Sequence, residues 1–196
     1  MKRIFLFVFA MALFQAGFSQ SKSSYKKSSQ LGIQFTAHDF ETPADLNSKG
    51  MSFVLSDNQW SNFDRKKVGM AITYTKPLNE NLDFNARMGM SNVEYTLSNK
   101  PYASSNGSST FFELDANLFM KLLTDDHIVS PFLSIGAGGS AWKGYYAAYI
   151  PAGVGLQVNL FDETFFIVQS QYRIPVTGNS ANNLFFSIGV SAVLDK

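Results

Sequence analysis

The sequence predicts an all-β chain: an eight-stranded antiparallel up-and-down transmembrane β-barrel with short periplasmic turns and longer outer loops. Three observations predict it. Eight segments alternate apolar and polar residues, the period at which successive strand side chains reach opposite faces. The polar positions are mostly Gly, Ser, Thr, Asn and Gln, whereas the water-facing side of a soluble antiparallel sheet is normally rich in Lys, Glu and Asp. Finally, tight polar turns alternate with longer links, which is the sidedness of barrels inserted in an outer membrane.

The chain begins MKRIFLFVFAMALFQAGFSQ, with a basic start, an apolar run from Ile4 to Phe14 and small residues at Gly17 and Ser19. This pattern predicts a signal peptide over residues 1–19, cut before Gln20. The apolar run falls short of the roughly 20 residues a membrane-spanning helix needs. Residues 20–30, rich in Ser and Lys, read as a flexible segment, and 31–196 as the barrel. Charged residues make up 16% of the 196, against about 25% in a soluble domain. The net charge of +1 gives no electrostatic reason for a nucleic-acid partner. With no cysteine, disulfides, thiolate catalysis and cysteine metal sites are excluded.

The strands follow in order. LGIQFTA (31–37) sets Leu31, Ile33 and Phe35 against Gln34 and Thr36, and GMAITYTKPL (69–78) sets Met70, Ile72 and Tyr74 against Thr73 and Thr75. NLDFNARMGMS (81–91) and STFFELDANLFMKLL (109–123) carry Phe84, Met88, Leu114 and Leu118 on one face and Asn85, Arg87, Asp115 and Asn117 on the other. SPFLSIGAGGSAW (130–142) is small and glycine-rich, and YIPAGVGLQVNL (149–160) opposes Ile150, Val154 and Leu156 to Gly153, Gly155 and Gln157. FFIVQSQYRI (165–174) turns Gln169, Gln171 and Arg173 inward, and LFFSIGVSAVL (184–194) closes the series. Small inward residues suit a narrow barrel filled by its own side chains. The outward face is free of charge except at Lys76, which lies near a turn where it can snorkel. Lysine or arginine facing lipid at mid-depth costs about 2–4 kcal/mol, so a clean face is what a bilayer demands. Aromatics near strand ends, among them Tyr74, Phe112, Trp142, Tyr149 and Phe185, read as interfacial girdles.

NEN (79–81), TDDH (124–127) and FDET (161–164) are the tight turns; the longer links run from His38 to Val68, Ser98 to Gly107, Lys143 to Ala147 and Pro175 to Asn183. Within the link after the first strand, SKGMSFVLSDNQWSNF has the makings of a short helix over the barrel mouth. Phe53, Trp60 and Phe63 are its candidate contact residues for a protein partner, since long loops and exposed aromatics often serve contact.

Arg87, Glu113, Asp115 and Lys121 are the candidate interior cluster. Charges inside so narrow a barrel must pair, so a structural salt-bridge cluster is preferred to an ion gate or proton path. His38 and Asp39 read as rim residues; with a serine from the following loops (Ser98, Ser104, Ser105, Ser108) they leave a hydrolytic triad open on composition, although no spacing marks one. His127 beside Asp125 and Asp126 reads as a solvated turn, not a metal site. GAGG (136–139) lacks the strand-to-helix junction and lysine of a phosphate loop, so it reads as close packing. No cofactor is expected.

With these residues in hand, the chain resembles the small outer-membrane barrels: the N-terminal barrel of the OmpA family, OmpX, and similar domains common in Bacteroidota. PAGVGLQVNLFDETFFIVQSQYRIPV (151–176) carries the resemblance best, and HDFETPADLNSK…DNQW (38–60) is similar to the long first outer loop of such proteins. The resemblance implies a non-enzymatic outer-membrane protein with a structural, surface-contact or complex-subunit role, embedded in outer-membrane lipid. A narrow pore and a rim-located lipid-modifying enzyme are the alternatives. The chain departs from the OmpA pattern in stopping at Lys196, so cell-wall anchoring is not expected. It also ends AVLDK, without the family's usual terminal aromatic.

Overall fold

The structure, a computed structural model, describes residues 28–56, 66–93, 109–124, 127–160, 163–178 and 181–194. The expected signal peptide, most of the segment after it, and Trp60 and Phe63 lie outside the described residues.

Eight antiparallel strands close on themselves: β1 (Gln30–Asp39), β2 (Lys67–Pro77), β3 (Leu82–Val93), β4 (Ser109–Lys121), β5 (Val129–Trp142), β6 (Tyr145–Asn159), β7 (Thr164–Pro175) and β8 (Asn183–Val193). Each strand pairs with its sequence neighbours, and β1 pairs with β8 from Gln30↔Val193 to Asp39↔Leu184. Closure leaves no open edge, the condition a sheet must meet in lipid, where unsatisfied backbone groups find no water. The strands are 10 to 15 residues long, enough for a tilted strand to cross a bilayer.

Alternation decides every face. Ile33, Phe35, Met88, Leu114 and Val154 are all more than half exposed, while Gln34, Thr73, Asn85, Asn117 and Gln171 are buried. So continuous an apolar belt is far larger than the patches soluble monomers show. It is stable only against lipid.

Two features of the connections differ from the sequence reading. The β5–β6 link is a two-residue turn, with Lys143 at φ 47° and Gly144 at φ 82°, both in the left-handed region that type I′ hairpins require. Tyr145–Ala147, taken as loop because it does not alternate, extends β6 instead. After β1 the chain forms two short helices, α1 (Glu41–Lys49) and α2 (Met51–Ser56), so helix begins well before the stretch expected to carry it. Asp39 caps α1: its Oδ1 accepts the backbone N–H of Glu41 (3.0 Å) and Thr42 (2.9 Å), and its Oδ2 the Thr42 hydroxyl (2.6 Å). Pro43 sits in the first turn, where no N–H is needed. The helix lies against β8 at the loop end of the barrel.

Candidate functional site

The lumen holds the chemistry, in three layers. In the upper layer, toward the long loops, the register puts Arg87 of β3 directly opposite Asp115 of β4, and their side chains pair. Glu113, two residues along β4 on the same face, pairs with Arg173 of β7 from across the lumen. Arg173 Nη2 also reaches Asp115 Oδ2 at 3.4 Å, joining the two pairs into one network. Tyr149 of β6 donates its hydroxyl to Asp115 Oδ2 (3.2 Å) and Glu113 Oε1 (3.4 Å), and Asn117 donates to Asp115 Oδ1 at 2.6 Å. His38 Nε2 lies 3.0 Å from Glu113 Oε2.

Two guanidinium groups thus face two carboxylates, and the cluster is neutral when His38 is neutral. Such balance is what lets charge persist where water is scarce. Phe185 of β8 sits with its ring centroid 3.8 Å from the guanidinium carbon of each arginine, so one aromatic ring contacts both cations.

This layer is sealed on both sides. Toward the loops, Val93, Phe111 and Trp142 form a buried apolar cluster against which Phe40, Tyr145 and Ala181 pack, and Trp142 Nε1 donates to the Val93 carbonyl at 3.2 Å. A middle layer of amides and hydroxyls follows, including Asn85 to Thr75 (2.8 Å) and Gln169 to Ser187 (3.0 Å). Toward the turns, Phe119, Phe132, Phe165 and Ile167 form a second apolar plug, with the Phe119 and Phe132 rings stacked 4.6 Å apart.

Glycines make room for rings in the lumen. The Tyr149 ring lies over Gly138, and the Phe132 ring over Gly155; a Cβ at either glycine would collide with the ring. GAGG is therefore packing space, as its sequence suggests.

Several sequence-predicted residues are corrected. Arg87, Glu113, Asp115 and Lys121 all face inward, but Lys121 does not join the others: its Nζ pairs with Asp83 Oδ2 at 3.0 Å near the turn end. Arg173, read as inward-facing but left out of the cluster, pairs with both of its carboxylates. His38 is not a rim residue but fully buried, its ring packed among Phe40, Phe111 and Phe185 beside Glu113. The serines weighed as its partners lie outside the described residues. Trp142, Tyr149 and Phe185 belong to the lumen, not to a lipid girdle. The signal was present: each occupies the polar phase of its own strand. Phe53 is half-buried on α2, with Lys49 Nζ 4.3 Å from its ring centroid. His127 Nδ1 lies 3.3 Å from Thr124 Oγ1, and Asp125 and Asp126 lie outside the described residues. Among the described residues no group of His and acidic side chains is arranged to hold a metal ion.

No protein-family model matches the sequence, and no curated protein does. The fold does match solved structures. The outer membrane protein OprG from Pseudomonas aeruginosa aligns with a TM-score of 0.51 at 9% identity, over 88% of this chain and 98% of that one. The N-terminal β-barrel domain of Pseudomonas aeruginosa OprF aligns with a TM-score of 0.50 at 9% identity, over 83% of this chain and 96% of that one. The attachment invasion locus protein Ail of Yersinia pestis gives 0.48 at 13% identity, over 84% and 95%. On the first two alignments, the chain has the fold of the small outer-membrane β-barrels.

Proposed function

We propose that the mature chain is an integral outer-membrane protein whose barrel is a closed, non-conducting anchor. Its role is then structural or one of contact, carried by the outer loops, with the 38–68 connection the leading surface for a protein partner. One observation carries this reading: a charge-balanced network shut between two apolar plugs, inside a belt that faces lipid. A solute path would need a continuous polar channel, and a catalytic site would need its polar groups open to substrate. Here Arg87 and Arg173 are paired with Asp115 and Glu113 inside the closed lumen, and His38 is walled in by phenyl rings.

The direct test is conductance of the purified protein in a planar bilayer. No steady current is expected from the wild type at neutral pH. Steady unitary conductance, lost on replacing Arg87 or Arg173, would overturn the anchor reading in favour of a narrow pore. For the contact role, photo-crosslinking from position 53 in intact cells is expected to trap a protein neighbour. Labelling indistinguishable from a lipid-facing control position removes that part of the proposal.

A further inference from the structure

The lipid face of the barrel is not uniform. The hydrogen-bond register lines up side chains in rows across the strands, and two adjacent rows on one side leave a furrow between them. The first row runs Val68, Ala37, Phe186, Ser170, Val154, each directly opposite the next on the neighbouring strand. The second runs Phe35, Ile188, Val168, Leu156 in the same way. Small side chains at Ala37 and Ser170 interrupt the first row, and the space between the rows is a groove of ≈ 690 Å³, within the roughly 300–1,000 Å³ span of small-ligand sites. Its lining is almost wholly apolar. Because the strands tilt, the groove descends from the loop end of β1 and β2 toward the turn end of β5.

At the loop end stands a positive group. Lys66 Nζ lies 5.0 Å from the ring centroid of Phe186, a residue of the groove itself. Lysine stems lie along apolar surface while their ammonium groups reach the headgroup level. The groove thus offers an acyl-sized apolar trough with a cation at the end where a lipid head would be, and basic groups at a membrane surface favour anionic lipid.

We propose that this groove seats an acyl chain of a lipid whose head group carries net negative charge, with Lys66 beside the head. The proposal rests on the reading of the barrel as a membrane protein and adds a preferred lipid to it.

Native mass spectrometry of the mature barrel released from detergent tests it, with phosphatidylglycerol and phosphatidylcholine of identical chains as probes. The wild type is expected to hold phosphatidylglycerol about fivefold more tightly, the ratio one basic residue gives near an anionic surface. Lys66→Glu should abolish that preference while leaving phosphatidylcholine binding in place. Ser170→Phe, which fills the trough and leaves the rim charge intact, should weaken both lipids. Far-UV circular dichroism on each variant confirms the β-sheet. Equal affinity of the wild type for the two lipids, or Ser170→Phe binding like wild type, overturns the proposal while leaving the membrane reading intact. A dimer that excludes lipid from the groove overturns it in favour of a second copy as occupant. Failure of the wild type to retain any lipid or to fold in detergent would instead sink the membrane reading.

Discussion

The two ends of the lumen solve the same problem differently. Toward the loops, charge is shared: Arg173 touches both carboxylates, Tyr149 touches both, and Phe185 lies against both arginines. Toward the turns, Lys121 faces Asp83 beside a wall of phenyl rings. A shared network fixes several strands relative to one another, because each group answers to partners on β3, β4, β6 and β7. The Lys121–Asp83 pair bridges β3 and β4. The difference implies that the upper layer sets the shape of the barrel, while the lower end is sealed mainly by aromatic packing.

The comparison is breakable by mutation. The largest loss is expected from Arg173→Met, which takes from Glu113 its paired guanidinium, leaving it Tyr149 and His38, and takes one partner from Asp115; unfolding in denaturant from detergent micelles should show about 3–5 kcal/mol of destabilisation, the cost of breaking a buried charge pair. Arg87→Met should fall below it, since Asp115 keeps Arg173, Tyr149 and Asn117. Gly138→Val, which drives a side chain into the Tyr149 ring, should cost roughly 1–3 kcal/mol by overpacking. At the lower end, Asp83→Leu together with Lys121→Met should stay within about 1 kcal/mol of wild type, because a buried pair replaced by apolar groups is often neutral. A loss as large as that of Arg173→Met there would erase the proposed contrast. The most local effect belongs to Asp39→Ala, which removes the α1 cap: amide exchange should rise in 41–49 while strand amides hold.

Much of this was legible in the sequence, and for one reason. A period of two leaves a strand no choice of face once its apolar set is known. All eight strands therefore read correctly to within a few residues, and so did the inward phase of Arg87, Glu113, Asp115 and Arg173. The same rule, applied strictly, would have placed Tyr149 inside, because Ile150 and Ala152 point out. Aromatic character near a strand end argued for the girdle and misled.

Partnership was less legible than orientation. Lys121 shares a strand and a phase with Asp115, yet the β3–β4 register brings Leu82↔Met120 to the turn end, so its acidic neighbour is Asp83. Arg173 meets Glu113 across the lumen, from a strand three positions away around the barrel, and no local spacing encodes that contact. The β5–β6 turn was hidden because Tyr145–Ala147 lacks alternation, although Lys143–Gly144 alone can adopt the φ values a two-residue hairpin needs.

The central claim is that the apolar phase faces acyl chains and the polar phase is enclosed. The chain has no cysteine, so single-cysteine variants carry one spin label each. In bilayers, labels at Leu114 and Val154 should be readily relaxed by oxygen, which concentrates in the hydrocarbon, and poorly by a water-soluble nickel chelate. Labels at these positions shielded from oxygen, or freely reached by the chelate, would contradict the account.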